Sequence, residues 1–157
     1  MKKEIRLTIN GRHYEFEIEP RTLLLDLIRN EMNLIGTRQG CSSCSCGTCT
    51  VLLDGMAVKS CSILAVQANE REVLTIEGLA DGEKLHPVQE SFVKNHGLAC
   101  GYCTPGMIMA SVGLLEKHPS PNEDQVIETI NGHLCRCGTY PKIVKSVIEA
   151  SKKMGGE

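Results

Sequence analysis

The stretch from Gly40 to Thr50, GCSSCSCGTCT, decides how the rest of the chain is organised. It holds a C-x4-C-x2-C pattern, and a fourth cysteine follows twelve positions later: Cys41, Cys46, Cys49 and Cys61. This spacing is that of a plant-type [2Fe–2S] site. The intervening residues are small, so the backbone can bend closely around a cluster and direct its amide N–H groups at it. The pattern therefore predicts that these four cysteines bind a [2Fe–2S] cluster.

Zinc binding and disulfide bonding are the alternatives for this loop. Structural zinc sites usually take two C-x2-4-C pairs, which three close cysteines and a distant one fit poorly. Nine cysteines among 157 residues would suggest disulfides in a secreted chain. However, Met1-Lys2-Lys3 leads into alternating residues and not into an apolar signal core, which predicts a cytoplasmic protein. Nine is also an odd number, which eight metal ligands and one spare cysteine explain better.

Composition narrows the possible partners. The formal charge is −2 and no block of basic residues is present, so neither nucleic acid nor a membrane surface is indicated as a partner. No apolar run approaches the length that spans a bilayer. Neither a Ser/His/Asp set nor a nucleotide-binding glycine motif is found, so no catalytic residue is assigned to this chain.

Residues 1–77 show the pattern of a β-grasp domain. Lys3 to Ile9 alternates, Asn10-Gly11 is a strong hairpin signal, and alternation resumes through Ile18. Apolar residues then repeat at helical spacing from Leu23 to Ile28, with Thr22 as the predicted N-cap. Three further strands are predicted: Thr50 to Leu53, Ala57-Val58, and Val73 to Ile76. A short helical segment is expected from Ile63 to Ala68.

Residues 84–157 are predicted to be helical, after a domain boundary in the glycine-containing stretch from Glu77 to Glu83. One helix begins at Pro87, and another begins after Thr104 as N-cap. Ser120 matches a capping box for a third helix. Pro141 begins the last helix, and Ser151 to Glu157 is expected to be a frayed tail.

A second set of cysteines lies in this helical half. Cys100 and Cys103 form a C-x2-C pair before one predicted helix, and Cys135 and Cys137 form a C-x-C pair before another. Helix N-termini favour thiolates, so the pairs can form one site if both helices begin at the same end of a bundle. The spacing leaves open a second [2Fe–2S] cluster, a four-cysteine zinc site, and an isolated C-x2-C redox pair.

Three motifs together resemble the small iron–sulfur subunit of the xanthine dehydrogenase / molybdenum hydroxylase family. They are GC-x4-CG-x-CTVLLDG with Cys61, then CGYCTPGMIM, then LCRCGTY. The resemblance covers about Ile5 to Ala150, and the paired cysteine sets in this order are highly specific. It implies a ferredoxin-like domain with one [2Fe–2S] cluster, followed by an all-α four-helix-bundle domain whose four cysteines hold a second cluster.

The resemblance also implies the function. The chain would be an electron-transfer subunit of an oxidoreductase, with a large molybdopterin subunit and a medium FAD subunit as partners in a heterotrimer or its dimer. Electrons would pass from molybdenum to the helical-domain cluster, then to the ferredoxin-like cluster, then to flavin, and Cys137 would be the ligand nearest the pterin. A free-standing two-cluster ferredoxin or redox sensor is the alternative.

Three residues depart from the family pattern. Cys44 stands where Gly or Ser is more common, and it is not needed as a ligand. Ala99 replaces a glutamine that contacts the pterin in the family. His133 replaces the usual asparagine of the NLCRC run; tuning of the cluster by a hydrogen bond from His133 is the alternative, and a solvent-exposed loop histidine is the expectation. His13, His86, His96 and His118 are predicted at the surface or near helix ends and not as metal ligands.

Overall fold

The computed structural model describes residues 1–155, a five-stranded sheet followed by a group of four helices. The strands are β1 (Lys3–Ile9), β2 (Arg12–Ile18), β3 (Thr50–Leu53), β4 (Met56–Lys59) and β5 (Arg71–Leu74). The helices are α1 (Leu24–Asp26), which continues as a π-helical turn over Leu27–Glu31, α2 (Pro87–Lys94), α3 (Thr104–Lys117), α4 (Glu123–Ile130) and α5 (Tyr140–Gly155). Short 3-10 turns cover Ser60–Ser62, Ala65–Ala68 and Ile76–Gly78. The predicted α+β architecture, a β-grasp unit and then an all-α unit, is confirmed.

The sheet is mixed, with strand order β2-β1-β5-β3-β4. β1 and β5 are parallel, whereas the other neighbouring strands are antiparallel. The β1–β2 turn has Asn10 at φ 50° and Gly11 at φ 76°, which suits a type I′ hairpin. Asp54 and Gly55 form the β3–β4 turn with φ 48° and 75°. The first turn matches the Asn-Gly dipeptide that predicted it, and Asp54-Gly55 is a dipeptide of the same kind.

Strand β3 lies between two hydrophobic cores. Its four residues are all buried, and successive side chains of a strand point to opposite faces. Val51 and Leu53 join the core of the N-terminal half, whereas Leu52 joins the core formed by the four helices. Thr50, two residues before Leu52, shares its face of the strand. The strand that follows the first cysteine loop therefore presents one face to the helical half.

Helix α3 packs against the sheet and is buried on nearly all sides between Gly106 and Gly113. Both glycines sit where a side chain would meet the N-terminal half. A Cβ on Gly113 would lie 3.0 Å from Leu52 Cδ2, and a Cβ on Gly106 would contact the carbonyl of Gly47 and lie 2.9 Å from Thr48 Cα. The missing side chains allow the helix to approach the first cysteine loop closely.

Several predicted boundaries in the N-terminal half were wrong by a few residues. Leu23, not Thr22, is the residue before α1, because the Thr22 carbonyl accepts the backbone N–H of Ala65 instead. β5 ends at Leu74, since the backbone N–H of Thr75 donates to Asn10 Oδ1 at 2.9 Å and leaves the strand ladder.

Helix ends in the C-terminal half differ in the same way. Asn122, not Ser120, caps α4, and it exchanges hydrogen bonds of 2.8 and 2.9 Å with Gln125. Cys103 precedes α3, so Thr104 is already helical. α5 begins at Tyr140 and continues to Gly155, with Ser151 buried, so the tail prediction was wrong there. The last two positions of the predicted tail, 156 and 157, lie outside the described residues. Within residues 1–155, no helix has both the length and the apolar character needed to cross a bilayer.

Candidate metal centres

The first cysteine set is brought together by the β3–β4 hairpin and the loop before it. Thr50 pairs with Lys59 across the hairpin, which places Cys49 and Cys61 next to each other just beyond its open end. Ser60 strengthens this approach, because its hydroxyl donates to the Cys49 carbonyl at 2.8 Å. Within the loop, the backbone N–H of Cys46 points at Cys41 Sγ, at 3.5 Å.

The thiols of this set interact in two pairs. The backbone N–H groups of Cys46 and then Ser43 lower the pKa of Cys41 to about 6, so the loop stabilises a thiolate there. Burial raises the pKa of Cys61, and the neighbouring thiol of Cys49 raises it further. Cys41 thus lies against Cys46, and Cys61 against Cys49.

The ninth cysteine, Cys44, also lies near this site. Its backbone has φ 56°, its side chain is exposed, and its Sγ is 3.8 Å from the carbonyl oxygen of Cys61. Its thiol is the next contributor, after Cys49, to the raised pKa of Cys61.

The second cysteine set is assembled where α3 and α5 begin. Burial raises the pKa of Cys103 to about 12, with the Cys135 thiol as the next cause. Burial also acts to raise the pKa of Cys135, but the hydroxyl and backbone N–H of Thr139 lower it to about 7. The backbone of Tyr102, then the thiol of Cys137, lower the pKa of Cys100. Cys103 therefore faces Cys135, and Cys100 faces Cys137, as expected if both helices begin at one end.

These contacts fit binuclear clusters. A [2Fe–2S] cluster takes four protein thiolates shared between two irons, so its thiols approach in pairs instead of converging on one metal position. Each set shows two such pairs. In the part of the chain that the structure describes, no group of three or more His, Cys, Asp or Glu side chains surrounds a single-ion position.

The two sets face a common cleft. An open cavity of about 470 Å³ is lined by Cys41 and Cys46 from the first set and by Cys100, Cys103 and Cys135 from the second. The two cysteine sets therefore meet at one place between the sheet and the helices.

Hydrogen bonds join the loops that carry the two sets. The backbone N–H of Leu134 donates to the Cys46 carbonyl at 2.9 Å. Arg38 Nη1 donates to the Gly101 carbonyl at 2.7 Å, and its guanidinium carbon lies 5.3 Å from the Tyr102 ring centre. The Tyr102 hydroxyl donates to the Gln39 carbonyl at 2.7 Å. These contacts hold each cysteine loop against the other.

The prediction of an exposed His133 was wrong. The side chain is 7% exposed, its Nε2 is 2.9 Å from Thr50 Oγ1, and its carbonyl accepts from the Tyr140 hydroxyl at 3.2 Å. Burial, then the charge of Lys59, lowers the pKa of His133 to about 4, although the Thr129 carbonyl acts in the opposite direction. The contact with Thr50 spans 83 positions, so local spacing carried no signal for it.

The remaining histidines lie where the sequence predicted. His13, His96 and His118 are exposed, and His13 bonds to Thr8 Oγ1. His86 is the N-cap of α2, where its Nδ1 accepts from the Val88 backbone N–H at 3.2 Å.

An exposed apolar surface surrounds the second set. Cys100, Cys137 and Ala99 are exposed. Leu134, Tyr102 and Leu98 around them are 57%, 49% and 40% exposed. Large apolar side chains gathered around potential ligands are typical of a face that another protein covers.

Comparison with known proteins agrees with both halves of the chain. The family described as "2Fe-2S iron-sulfur cluster binding domain" matches residues 7–80, and the "[2Fe-2S] binding domain" family matches residues 75–148. The nicotine 6-hydroxylase small subunit of Paenarthrobacter nicotinovorans is 44% identical over 154 residues, which cover 98% of this chain and 93% of that one. A probable xanthine dehydrogenase subunit of Bacillus subtilis is 39% identical, over 99% of this chain and 89% of its own length.

Solved structures agree as well. Quinoline 2-oxidoreductase from Pseudomonas putida 86 contains a chain that is 42% identical, with a TM-score of 0.91 and coverage of 99% of this chain and 98% of that one. Aldehyde oxidoreductase from Desulfovibrio desulfuricans matches with a TM-score of 0.94 and 32% identity, over 99% of this chain but 17% of the larger one. The chain therefore belongs to the small [2Fe–2S] subunits of the xanthine dehydrogenase / molybdenum hydroxylase family, the electron-transfer subunits of these oxidoreductases.

Proposed function

We propose that this chain conducts single electrons from the molybdopterin site of a large subunit to the FAD of a medium subunit. The observation that supports this proposal most directly is the contact between the two cysteine loops, where the Leu134 N–H donates to the Cys46 carbonyl at 2.9 Å. Two bound [2Fe–2S] clusters would supply the one-electron carriers. The chain itself would hold them, separate them from solvent and fix their spacing.

The ligand assignment follows the paired thiols. Cys41, Cys46, Cys49 and Cys61 would hold the first cluster, and Cys100, Cys103, Cys135 and Cys137 the second. The low pKa of Cys41, about 6, and of Cys135, about 7, support thiolates at these positions near neutral pH. The zinc alternative for the second set is not favoured, because the family described as a [2Fe-2S] binding domain covers all four of its cysteines.

The orientation follows from exposure. Cys137 is exposed and lies against Cys100 within the apolar surface of the second set. This face would dock on the large subunit and bring Cys137 nearest the pterin. Ala99, on the same face, has no side-chain amide for the pterin, so that contact would fall to Cys137 or to the large subunit. The loop from Gly40 to Gly47 would face the flavin subunit.

The assembly would be a heterotrimer or its dimer. Relatives of similar length are themselves named as subunits, among them subunit beta of the 6-hydroxypseudooxynicotine dehydrogenase complex, which is 44% identical to this chain. We place the protein in the cytoplasm, because none of its nine cysteines forms a disulfide in the fold and a reducing compartment keeps cysteines available as metal ligands. Cell fractionation with an antibody against the complex tests that location.

Replacement of a first-set ligand tests the electron path. In the purified complex of a Cys46→Ser variant, oxidation of the substrate should still leave an electron on the helical-domain cluster, while the flavin stays oxidised. Rapid mixing followed by EPR and absorption spectra distinguishes the two centres. Normal flavin reduction in a variant shown to lack the first cluster would falsify the proposed order. Purification of the chain without larger subunits from its native host would favour a free-standing ferredoxin.

A further inference from the structure

His133 joins the two cysteine loops at a point beside the Leu134–Cys46 hydrogen bond. Thr50 immediately follows Cys49, and His133 lies two positions before Cys135. The two side chains meet at 2.9 Å, between Nε2 and Oγ1, and they are 7% and 3% exposed. A buried hydrogen bond thus links a neighbour of the first cysteine set to a neighbour of the second.

The contact between His133 and Thr50 continues to Gly47. The Thr50 hydroxyl has one hydrogen, and it can donate to the Gly47 carbonyl at 2.7 Å. In the tautomer with a hydrogen on Nε2, the Thr50 oxygen accepts from His133; in the other tautomer the hydroxyl donates to Nε2, and the Thr50 backbone N–H still donates to the Gly47 carbonyl at 3.1 Å. The result is one chain of hydrogen bonds from His133 through Thr50 to Gly47, inside the loop that carries Cys46 and Cys49.

The imidazole also touches that loop directly. A Cβ built on Gly47, which has φ 70°, would lie 2.5 Å from His133 Cδ2 and 2.8 Å from the Gly132 carbonyl oxygen. The ring therefore occupies the space that any other residue at position 47 would need. His133 contacts the first loop at two points, by a hydrogen bond and by close packing.

We propose that His133 is a positioning residue for electron transfer between the two clusters, which sets their separation through its hydrogen bond to Thr50 and its contact with Gly47. The inference rests on the proposed function. The step that it controls moves one electron from the reduced second cluster to the oxidised first cluster, and it makes or breaks no covalent bond. Loss of the contact would let the Leu134–Cys46 approach loosen, because both contacts join the same two loops.

A double-mutant cycle tests this role in the full chain carrying both clusters. His133→Phe removes the ring nitrogens, Thr50→Val removes the hydroxyl, and His133→Gln keeps a hydrogen-bonding group near the Nε2 position. Thr129→Val is the matched control, because its hydroxyl donates to Gln125 within α4 and not between the loops. Three properties are measured: the EPR interaction between the two reduced clusters, the redistribution of one flash-injected electron, and hydrogen exchange at the Leu134 amide.

His133→Phe and Thr50→Val should each slow redistribution several-fold, weaken the EPR interaction and speed exchange at Leu134. The double variant should be no worse than either single one, His133→Gln should restore most of the rate, and Thr129→Val should match wild type. Wild-type values in Thr50→Val and His133→Phe, or effects that simply add, would overturn the proposal. If the His133→Phe protein fails to hold a cluster, His133→Gln is compared with Thr50→Val instead. A redistribution rate in His133→Gln that is no higher than in Thr50→Val would then overturn the proposal. A wild-type chain without two reducible clusters would instead refute the proposed function.

Discussion

Cys44 is the one cysteine that the two-cluster assignment leaves without a role. Its thiol is exposed, its Sγ lies 3.8 Å from the Cys61 carbonyl oxygen, and it raises the pKa of Cys61 less than Cys49 does. We expect Cys44→Ser to keep the iron content and both EPR signals, because the eight other thiols suffice for two [2Fe–2S] clusters. Iron analysis and EPR of the reduced protein measure this.

Cys46→Ser is the control for that change, since it should remove the first signal and leave the second. Should Cys44→Ser lose the first cluster while the Cys41→Ser or Cys46→Ser protein retains it, the ligand assignment is incorrect.

Single residues show what the sequence could and could not reveal. The cysteine spacings are local patterns, so both sets and the type of the first cluster could be predicted from them, whereas the second cluster was implied only by the family resemblance. His133 could not be placed, because its partner Thr50 is 83 positions away and its burial depends on how the helices pack on the sheet. The Arg38 contact with Gly101 spans 63 positions and was missed for the same reason.

The sequence predicted that each of these helices exists, but not the residue at which it begins. Ser120 and Asn122 both suit an N-cap, and only the fold selects Asn122, whose partner Gln125 lies three residues further on. The same ambiguity moved the beginning of α3 from Pro105 to Thr104. Capping preferences therefore identified each helix, and tertiary packing chose the residue at which it begins.

The cap of α2 should make the helical half sensitive to pH. His86 Nδ1 accepts from the Val88 N–H, and burial lowers the pKa of His86, so the folded state favours the neutral ring. The unfolded chain then takes up its proton at a higher pH than the folded chain does. The stabilisation is present above a pH of about 6.5 and is lost as the pH falls below it.

We expect the thermal midpoint of the chain to be lower at about pH 5.5 than at about pH 7.5. Loss of the cap should account for about 1 kcal/mol of the decrease in the free energy of unfolding. His86→Asn should keep the cap and reduce that fall. The same change at exposed His118, at the end of α3, serves as control. An unaltered pH dependence in His86→Asn would assign the whole fall to other groups, such as buried His133, whose pKa is also lowered.

The two buried glycines of α3 should differ in their tolerance of alanine. Alanine is favoured over glycine inside a helix by about 1 kcal/mol. At Gly106 the added methyl would meet the backbone of Gly47 and Thr48, which cannot move without shifting the first cysteine loop. At Gly113 the nearest atom is Leu52 Cδ2, at 3.0 Å, which is the end of a flexible side chain, and the Ala57 Cβ and backbone N are further away, at 3.2 and 3.4 Å.

Gly106→Ala should therefore destabilise the chain by about 1–3 kcal/mol, the usual range for overpacking, and Gly113→Ala by less. Chemical denaturation of the cluster-loaded protein compares them. Equal stability of the two variants would mean that α3 can shift away from the loop, and that its contact with Gly47 does not fix the two halves.

The molecule as a whole places its two sites differently with respect to solvent. Cys46 and Cys49 of the first set are buried behind the loop, whereas Cys100 and Cys137 of the second set open onto an apolar surface. An electron carrier needs an exposed point for each partner. The apolar surface of the second set is suited to a permanent protein–protein interface. The fixed contact between the loops then determines the path within the chain.

This arrangement predicts that a charge on the apolar surface of the second set prevents assembly with the large subunit. Leu134→Glu places a carboxylate at a side chain that is 57% exposed but would be covered in the complex, while its backbone bond to Cys46 remains possible. Burying an unpaired charge is unfavourable, so affinity for the large subunit should fall at least about tenfold.

The control, Met154→Glu, alters a side chain that is 41% exposed near the end of α5. Met154 lies about 20 Å along the helix from Tyr140, at a rise of 1.5 Å per residue, and should bind normally. Titration calorimetry measures both affinities, with iron content showing that the clusters are intact, and equal affinity in the two variants would place the large subunit on another face.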